Sequence, residues 1–187
     1  RQFFEQNADR FRDQQELITD YFQYAPLVEQ FIDSAMLPGR DIAVEIGPGE
    51  GAFLGGLSAR FNRVVACDVS PSMLAIASDG AERNQLCNVE FILADSTKLR
   101  ARDLQAECVV ANMVLHHVPS PADMFQDIAA TLRPGGSFFM ADLCRHDQDW
   151  VRDACGDLWL GFDPDDLTHW ARSARLEQER HLYFAQR

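Results

Sequence analysis

Five short apolar runs separated by helical stretches predict a doubly wound α/β fold, an open and mostly parallel sheet preceded by N-terminal helices. The runs are Ile42–Ile46, Arg63–Cys67, Val89–Ala94, Cys108–Leu115 and Ser137–Leu143. They are apolar along their length rather than alternating, which implies burial on both faces and therefore helices on both sides of the sheet. Between them lie Gly51–Phe61, Pro71–Asn84, a weaker stretch near Lys98–Gln105, and Pro121–Leu132. Right-handed crossovers then fix most of the topology.

The flanks follow the same logic. Residues 1–40 contain no β-rich run, and Phe4, Ala8 and Phe11, Ile18 with Phe22, and Val28 with Phe31, Ile32 and Ala35 fall at helical spacing. Pro26 and Pro38-Gly39 punctuate this region, which reads as an N-terminal helical cap over 1–40. Residues 41–187 read as one compact unit. After Leu143, Trp150–Leu160 has helical character. Asp163 and Pro164 then read as the cap and first position of a helix running to about Ala174. His181–Ala185 reads as a further strand, with the sheet's last strand missing.

Composition limits the function classes. The 187 residues carry 17 Lys+Arg against 29 Asp+Glu, a formal net charge of −12, with 47% hydrophobic residues. That is a folded domain long enough for a sizeable core. The acidic balance argues against a phosphate backbone as partner, so no nucleic acid is expected on this chain. No apolar run approaches a membrane span, and no membrane association is expected. The chain begins with Arg1, and the expectation is that its original N-terminus is absent. Cys67, Cys87, Cys108, Cys144 and Cys155 are odd in number and show no C-x-x-C spacing, which predicts free thiols, no structural metal and a reducing cytoplasm.

The first run leads into Gly47-Pro48-Gly49-Glu50-Gly51. Glycines there let the backbone turn sharply and let a ligand approach without a Cβ in the way, and the helix start offers free amide donors. The place is the cofactor crevice of doubly wound folds. Gly47, Gly49 and Ala52 also satisfy G-x-G-x-x-A, so the loop alone does not separate a nicotinamide from another adenosine cofactor. Asp68, closing the second run, suits a pair of ribose hydroxyls. Asp95, after the third, suits an adenine amino group or a turn.

Taken together these residues resemble the class I S-adenosylmethionine-dependent methyltransferases. Glu45-x-Gly47-x-Gly49-x-Gly51 is similar to the first motif of that family, and Asp68-Val-Ser-Pro-Ser-Met73-Leu74 to the second. Asp95-Ser96 is similar to the third, Asn112-Met-Val-Leu-His-His-Val118 to the fourth, and Leu132-Arg-Pro-Gly-Gly136 to the turn before the fifth strand. The resemblance implies the family's Rossmann-like fold, S-adenosyl-L-methionine as cofactor and a small-molecule acceptor. It implies that Gly47, Gly49 and Gly51 make room for the methionine part and ribose, and that Glu45 approaches the cofactor's amino group. Asp68 takes the ribose hydroxyls, Val69 and Met73 pack on the adenine, Asp95 and Ser96 take the adenine edge, and Asn112 lies near the methyl donor. Phe3-Phe4 through Tyr24 and Trp159–Asp163 further resemble the methyltransferase half of ArsR-type regulator–methyltransferase fusions.

Methyl transfer from a sulfonium is an in-line displacement with an activated leaving group, so alignment in a dry pocket supplies most of the catalysis. If the acceptor must lose a proton, His116 or His117 is the expected base, with Asp142 a weaker choice; Asn112 completes the expected catalytic set. The adjacency of the two histidines predicts divergent side chains, as for strand neighbours, and hence no shared metal. Phe4, Phe11, Tyr21, Tyr24, Trp150, Trp159 and Phe162 are available to line an acceptor pocket, although such spacing more often marks core. The competing expectation is a cofactor- or ligand-sensing domain of a transcriptional regulator with little turnover. A homodimer is compatible with either.

Overall fold

The computed structural model describes residues 21–177 and 180–183. In chain order the elements are α1 (Tyr21–Ser34), β1 (Ile42–Ile46), α2 (Leu54–Ser58), β2 (Arg63–Asp68), α3 (Pro71–Arg83) and β3 (Val89–Leu93). Then come α4 (Ser96–Arg100), β4 (Ala106–Asn112), a 3-10 turn over Leu115–His117, α5 (Pro121–Thr131), β5 (Leu132–Ala141), α6 (Trp150–Cys155) and α7 (Pro164–Ser173). The strands form one sheet in the order β3-β2-β1-β4-β5, and every pair is parallel. The strand order reverses between β1 and β4, which puts the crevice for a ligand at their carboxyl ends.

Alternate side chains of the central strands enter two separate cores. Val44, Ile46, Val65, Cys67, Val109 and Ala111 pack with Leu99, Met124, Phe125, Ile128 and Phe162 on one face. Ala43, Val64, Ala66, Cys108 and Val110 pack on the other with Tyr24, Val28 and Ile32 of α1 and with Leu54 and Leu57 of α2. This two-sided burial is why the runs read as continuously apolar. Three of the five thiols, Cys67, Cys108 and Cys155, are buried, and all five are free.

Several boundaries differ from the sequence expectation. α1 runs through Pro26 instead of breaking there, because Tyr24, Ala25, Val28 and Ile32 are buried against the sheet and outweigh one lost backbone bond. Residues 1–20 of the expected cap lie outside the described residues. The helix expected over Gly51–Phe61 is only the five residues of α2. β4 ends at Asn112: Met113 takes φ 56 and the chain turns away. β5 is assigned from Leu132, but its register shifts across the Pro134-Gly135-Gly136 turn and the ladder with β4 resumes at Cys108↔Ser137. α6 stops at Cys155, where Gly156 takes a left-handed conformation. α7 begins at Pro164 with Asp163 at the N-cap position, as expected, yet the Asp163 side chain makes no capping bond; its carboxylate pairs with Arg145 at 2.8 Å instead. His181, Leu182 and Tyr183 form no strand, and Phe184 and Ala185 lie outside the described residues.

Candidate active site

The side chains singled out from the sequence stand in a row along the carboxyl rim: Asp95 after β3, Asp68 ending β2, Glu45 in β1, Asn112 ending β4. Glu45 shares its sheet face with Ala43, and Asn112 with Cys108 and Val110, so both point to the side that α1 and α2 cover. Both are buried, and Glu45 Oε2 and both polar atoms of Asn112 have no hydrogen-bond partner among the described residues. Burial holds the Glu45 carboxyl up at a pKa of about 8. A carboxylate that lacks a donor, beside an amide that lacks both partners, suits a zwitterionic amino-acid tail. The ammonium completes Glu45, and Asn112 is able to donate as well as accept.

The glycine loop is shaped partly by its own chain. Gly47, Gly49 and Gly51 all have positive φ, at 66°, 57° and 82°. A Cβ on Gly47 would sit 2.6 Å from Val114 Cγ2, and one on Gly51 would sit 3.2 Å from the Ala77 carbonyl oxygen of α3. At these two positions glycine therefore admits neighbouring protein as well as any ligand. The loop amides are also engaged: Gly51 N–H donates to Pro48 O at 2.8 Å and Gly47 N–H to Cys67 O at 2.8 Å. Two of the loop's amides are thus spent on the turn itself. Tyr21 donates its hydroxyl to Ala52 O at 3.1 Å and so ties α1 to the same loop.

Asp68 is partly buried, which raises its pKa, while backbone donors from Ser70 and Val69 oppose the shift. Its Oδ1 accepts from Ser70 N at 2.8 Å. Ser70 caps α3 through Met73 N. Met73 is buried and Val69 is exposed beside it. Asp95 caps α4 through Lys98 N at 2.8 Å, and the Ser96 hydroxyl donates to Asp127 at 2.8 Å, so both residues already hold internal partners.

The histidines follow a different geometry from the one expected. Leu115–His117 is a 3-10 turn, not strand, so the two rings do not diverge; their centroids lie 4.0 Å apart. His116 is buried, with Nδ1 2.8 Å from Asp142 Oδ1. Asp142 also accepts from Leu115 N and Leu143 N at 2.8 Å each, which makes it the organiser of the β4 and β5 ends rather than an open base. Burial opposes a charge on His116, but Asp142, by charge and hydrogen bond, and Asp157 raise its pKa above the ordinary value. His117 is held neutral, lowered to about 3 by burial and by His116. Asp157, whose pKa burial raises, stands opposite both rings and has no signal in the sequence beyond the preceding Gly156.

Of the aromatic residues, Phe162 and Tyr24 are core. Phe162 and Trp159 join Trp170 in one ring cluster, and Trp170 in turn meets Phe125. Trp150 and Trp159 remain partly exposed. Phe4 and Phe11 lie outside the described residues. Arg145 pairs with Asp163 and Asp166, and Arg152 donates to Leu158 O, so neither is an open anion contact.

The chain is 28% identical over 167 residues to a malonyl-[acyl-carrier protein] O-methyltransferase of Marinomonas, covering 88% of this chain and 60% of that protein. It is 27% identical over 154 residues to a ubiquinone biosynthesis O-methyltransferase of Coxiella burnetii, covering 75% and 64%. It thus spans less than two thirds of either relative. A crystal structure of a SAM dependent methyltransferase from Aquifex aeolicus superposes with a TM-score of 0.68 at 16% identity, over 87% of this chain and 86% of that one, a likeness of fold. Residues 44–140, just over half the chain and bounded by β1 and β5, match the family described as Methyltransferase domain. With the glycine loop, Asp68 and Asn112 all inside that match, the chain belongs to the methyltransferase domain family.

Proposed function

We propose that this chain binds S-adenosyl-L-methionine across the rim formed by β2, β1 and β4 and methylates a small-molecule acceptor. The observation that carries the reading is the buried, unpartnered polar pair of Glu45 and Asn112 beside a loop of positive-φ glycines. Bound there, the cofactor supplies a sulfonium methyl that needs no further activation. Glu45 and Asn112 hold the amino-acid end, Asp68 holds the ribose hydroxyls, and Val69 is exposed where it can cover the adenine. Asp95 keeps one carboxylate oxygen beyond its cap for the adenine edge, whereas Ser96 serves Asp127 first. The family membership and the O-methyltransferase relatives support methyl transfer. The net charge of −12 disfavours a polyanionic acceptor.

Of the three residues expected to be catalytic, Asn112 is proposed to face the donor, and the buried His116 to act in positioning rather than as a base. The test is isothermal titration with S-adenosylmethionine, then with Asp68→Ala. A tenfold or greater loss of affinity is expected, and unchanged affinity would reject the ribose role. Release of S-adenosylhomocysteine in the presence of candidate acceptors then tests turnover.

A second reading has one observation in its favour: His116 and Asp142 are both engaged internally, and His117, lowered to about 3 by burial and by His116, is a weak base. It is a ligand-sensing domain joined to a regulator, as in the ArsR-type fusions. Cofactor binding without turnover on any acceptor would favour it. Buried free thiols support a reducing, cytoplasmic setting for either reading. Among the described residues no helix is long and apolar enough to cross a membrane.

A further inference from the structure

Beyond Asn112, four titratable side chains meet at one buried point between the turn after β4 and the Gly156-Asp157 stretch after α6. The Asp142 and Asp157 side chains are 2% and 0% exposed. Neither Asp157 oxygen has a hydrogen-bond partner among the described residues. His116 Nδ1 is taken by Asp142, which leaves Nε2 directed at Asp157 Oδ1 from 3.8 Å. His117 Nδ1 stands 3.6 Å from the same oxygen and 3.3 Å from Gly156 O, a long contact that an ion on Nδ1 would replace. The two separations from Asp157 are too long for hydrogen bonds, yet close to the roughly 3.4 Å between two ligands of one tetrahedral ion with bonds near 2.1 Å. All three donor atoms lie within 4.8 Å of one another.

We propose that His116 Nε2, His117 Nδ1 and Asp157 form a site for one divalent first-row transition cation, with Asp142 orienting His116 from behind. The donor set of two imidazoles and one carboxylate suits zinc or its neighbours, not the all-oxygen shell of calcium or magnesium. A carboxylate on the far nitrogen of a ligating histidine fixes its tautomer and its ring. This replaces the sequence expectation that the adjacent histidines share no metal, an expectation built on strand geometry that the 3-10 turn removes. The ion pins residues 156–159 to the β4 rim, where Leu158 N and Trp159 N already donate to His116 O at 2.9 and 3.1 Å. It is thereby a structural clamp on the segment next to the donor site.

The test titrates the chelator-treated chain with Co(II) and then Zn(II), following the visible d–d band and the calorimetric stoichiometry. One ion per chain is expected, with Zn(II) displacing Co(II). Asp157→Asn and His117→Ala should each weaken binding at least tenfold, and the rise in unfolding temperature on adding Zn(II) should vanish with it. Absence of stoichiometric binding by the folded wild-type chain, as a proton bridging His116 and Asp157 would give, overturns the proposal. So does binding undiminished in both variants, which would move the ion to the thiols. If Asp157→Asn fails to fold, His117→Ala, at the more open edge of the site, decides alone. S-adenosylmethionine affinity measured on the same samples keeps this outcome separate from that of the methyl-transfer reading.

Discussion

Substituting Glu45 by Gln tests the cofactor rim through the pH dependence of stability. Burial holds the Glu45 carboxyl at about 8 against an ordinary value of 4.5. Its folded pKa is raised, so between about pH 4.5 and 8 the folded chain keeps a proton that the unfolded chain has released. Stability is therefore highest below the unfolded value and falls as pH rises through this window. At pH 7 the accumulated cost is about 3 kcal/mol, at roughly 1.4 kcal/mol per pH unit. Gln cannot ionise and has a similar shape. Urea denaturation from pH 5 to 8 should therefore show the variant gaining on the wild type with each unit of pH. Asp68 and Asp157 also have raised values, but the difference between the two chains isolates Glu45. An ammonium placed beside Glu45 reverses its preference, so binding S-adenosylmethionine near pH 6.5 should release about one proton. Titration in buffers of different ionisation enthalpy measures that proton, and the Gln variant should release none from this position. Parallel stability curves, or the same proton release in both chains, would refute the buried neutral carboxyl.

Two further substitutions test the rim by packing. Gly47→Ala should destabilise by about 2 kcal/mol or more, from the left-handed backbone and the contact with Val114; adding Val114→Ala should recover the steric part in urea denaturation and leave about 1 kcal/mol of backbone strain. Asn112→Leu removes two unpartnered buried polar atoms and should raise stability by about 1 kcal/mol or more while S-adenosylmethionine affinity falls at least tenfold. Thermal unfolding and calorimetric titration of the same preparation read both effects, and a variant that loses stability without losing affinity would count against Asn112 as a ligand-facing residue.

The parallel sheet was legible because its central strands are local runs whose burial on both faces leaves a continuous apolar pattern, which the half-buried edge strands follow more loosely. Element ends were less legible wherever a non-local contact decides them. Pro26 lies inside α1 because the helix face beyond it is buried on the sheet, and no local rule reports that burial. Asp163 has the sequence of a helix cap, but Arg145, brought alongside by the chain's return past β5, takes its carboxylate. That return is itself a short pairing, with Cys144 bridged to Phe162 and Phe162 N donating to Leu143 O at 2.9 Å. A Cβ on Gly161 would lie 2.2 Å from Cys144 O, so the pairing depends on a glycine that no periodicity marks.

The same division runs through the site. Glu45, Asp68, Asp95 and Asn112 were legible because each sits at or near the carboxyl end of a strand, and in a parallel sheet those ends share one rim whatever the loops do. The histidine cluster was not legible because it depends on two conformations away from the strands. One is Met113 at φ 56, which ends β4 early and winds His116 and His117 into a 3-10 turn. The other is Gly156 at φ 76, which ends α6 and swings Asp157 back under the two rings. Had β4 continued to Leu115 as its apolar run implies, the histidines would stand on opposite faces and Asp157 would meet at most one of them. The departure from strand geometry is therefore what gathers two imidazoles and two carboxylates at one buried point, and it places them beside the strand end that carries Asn112.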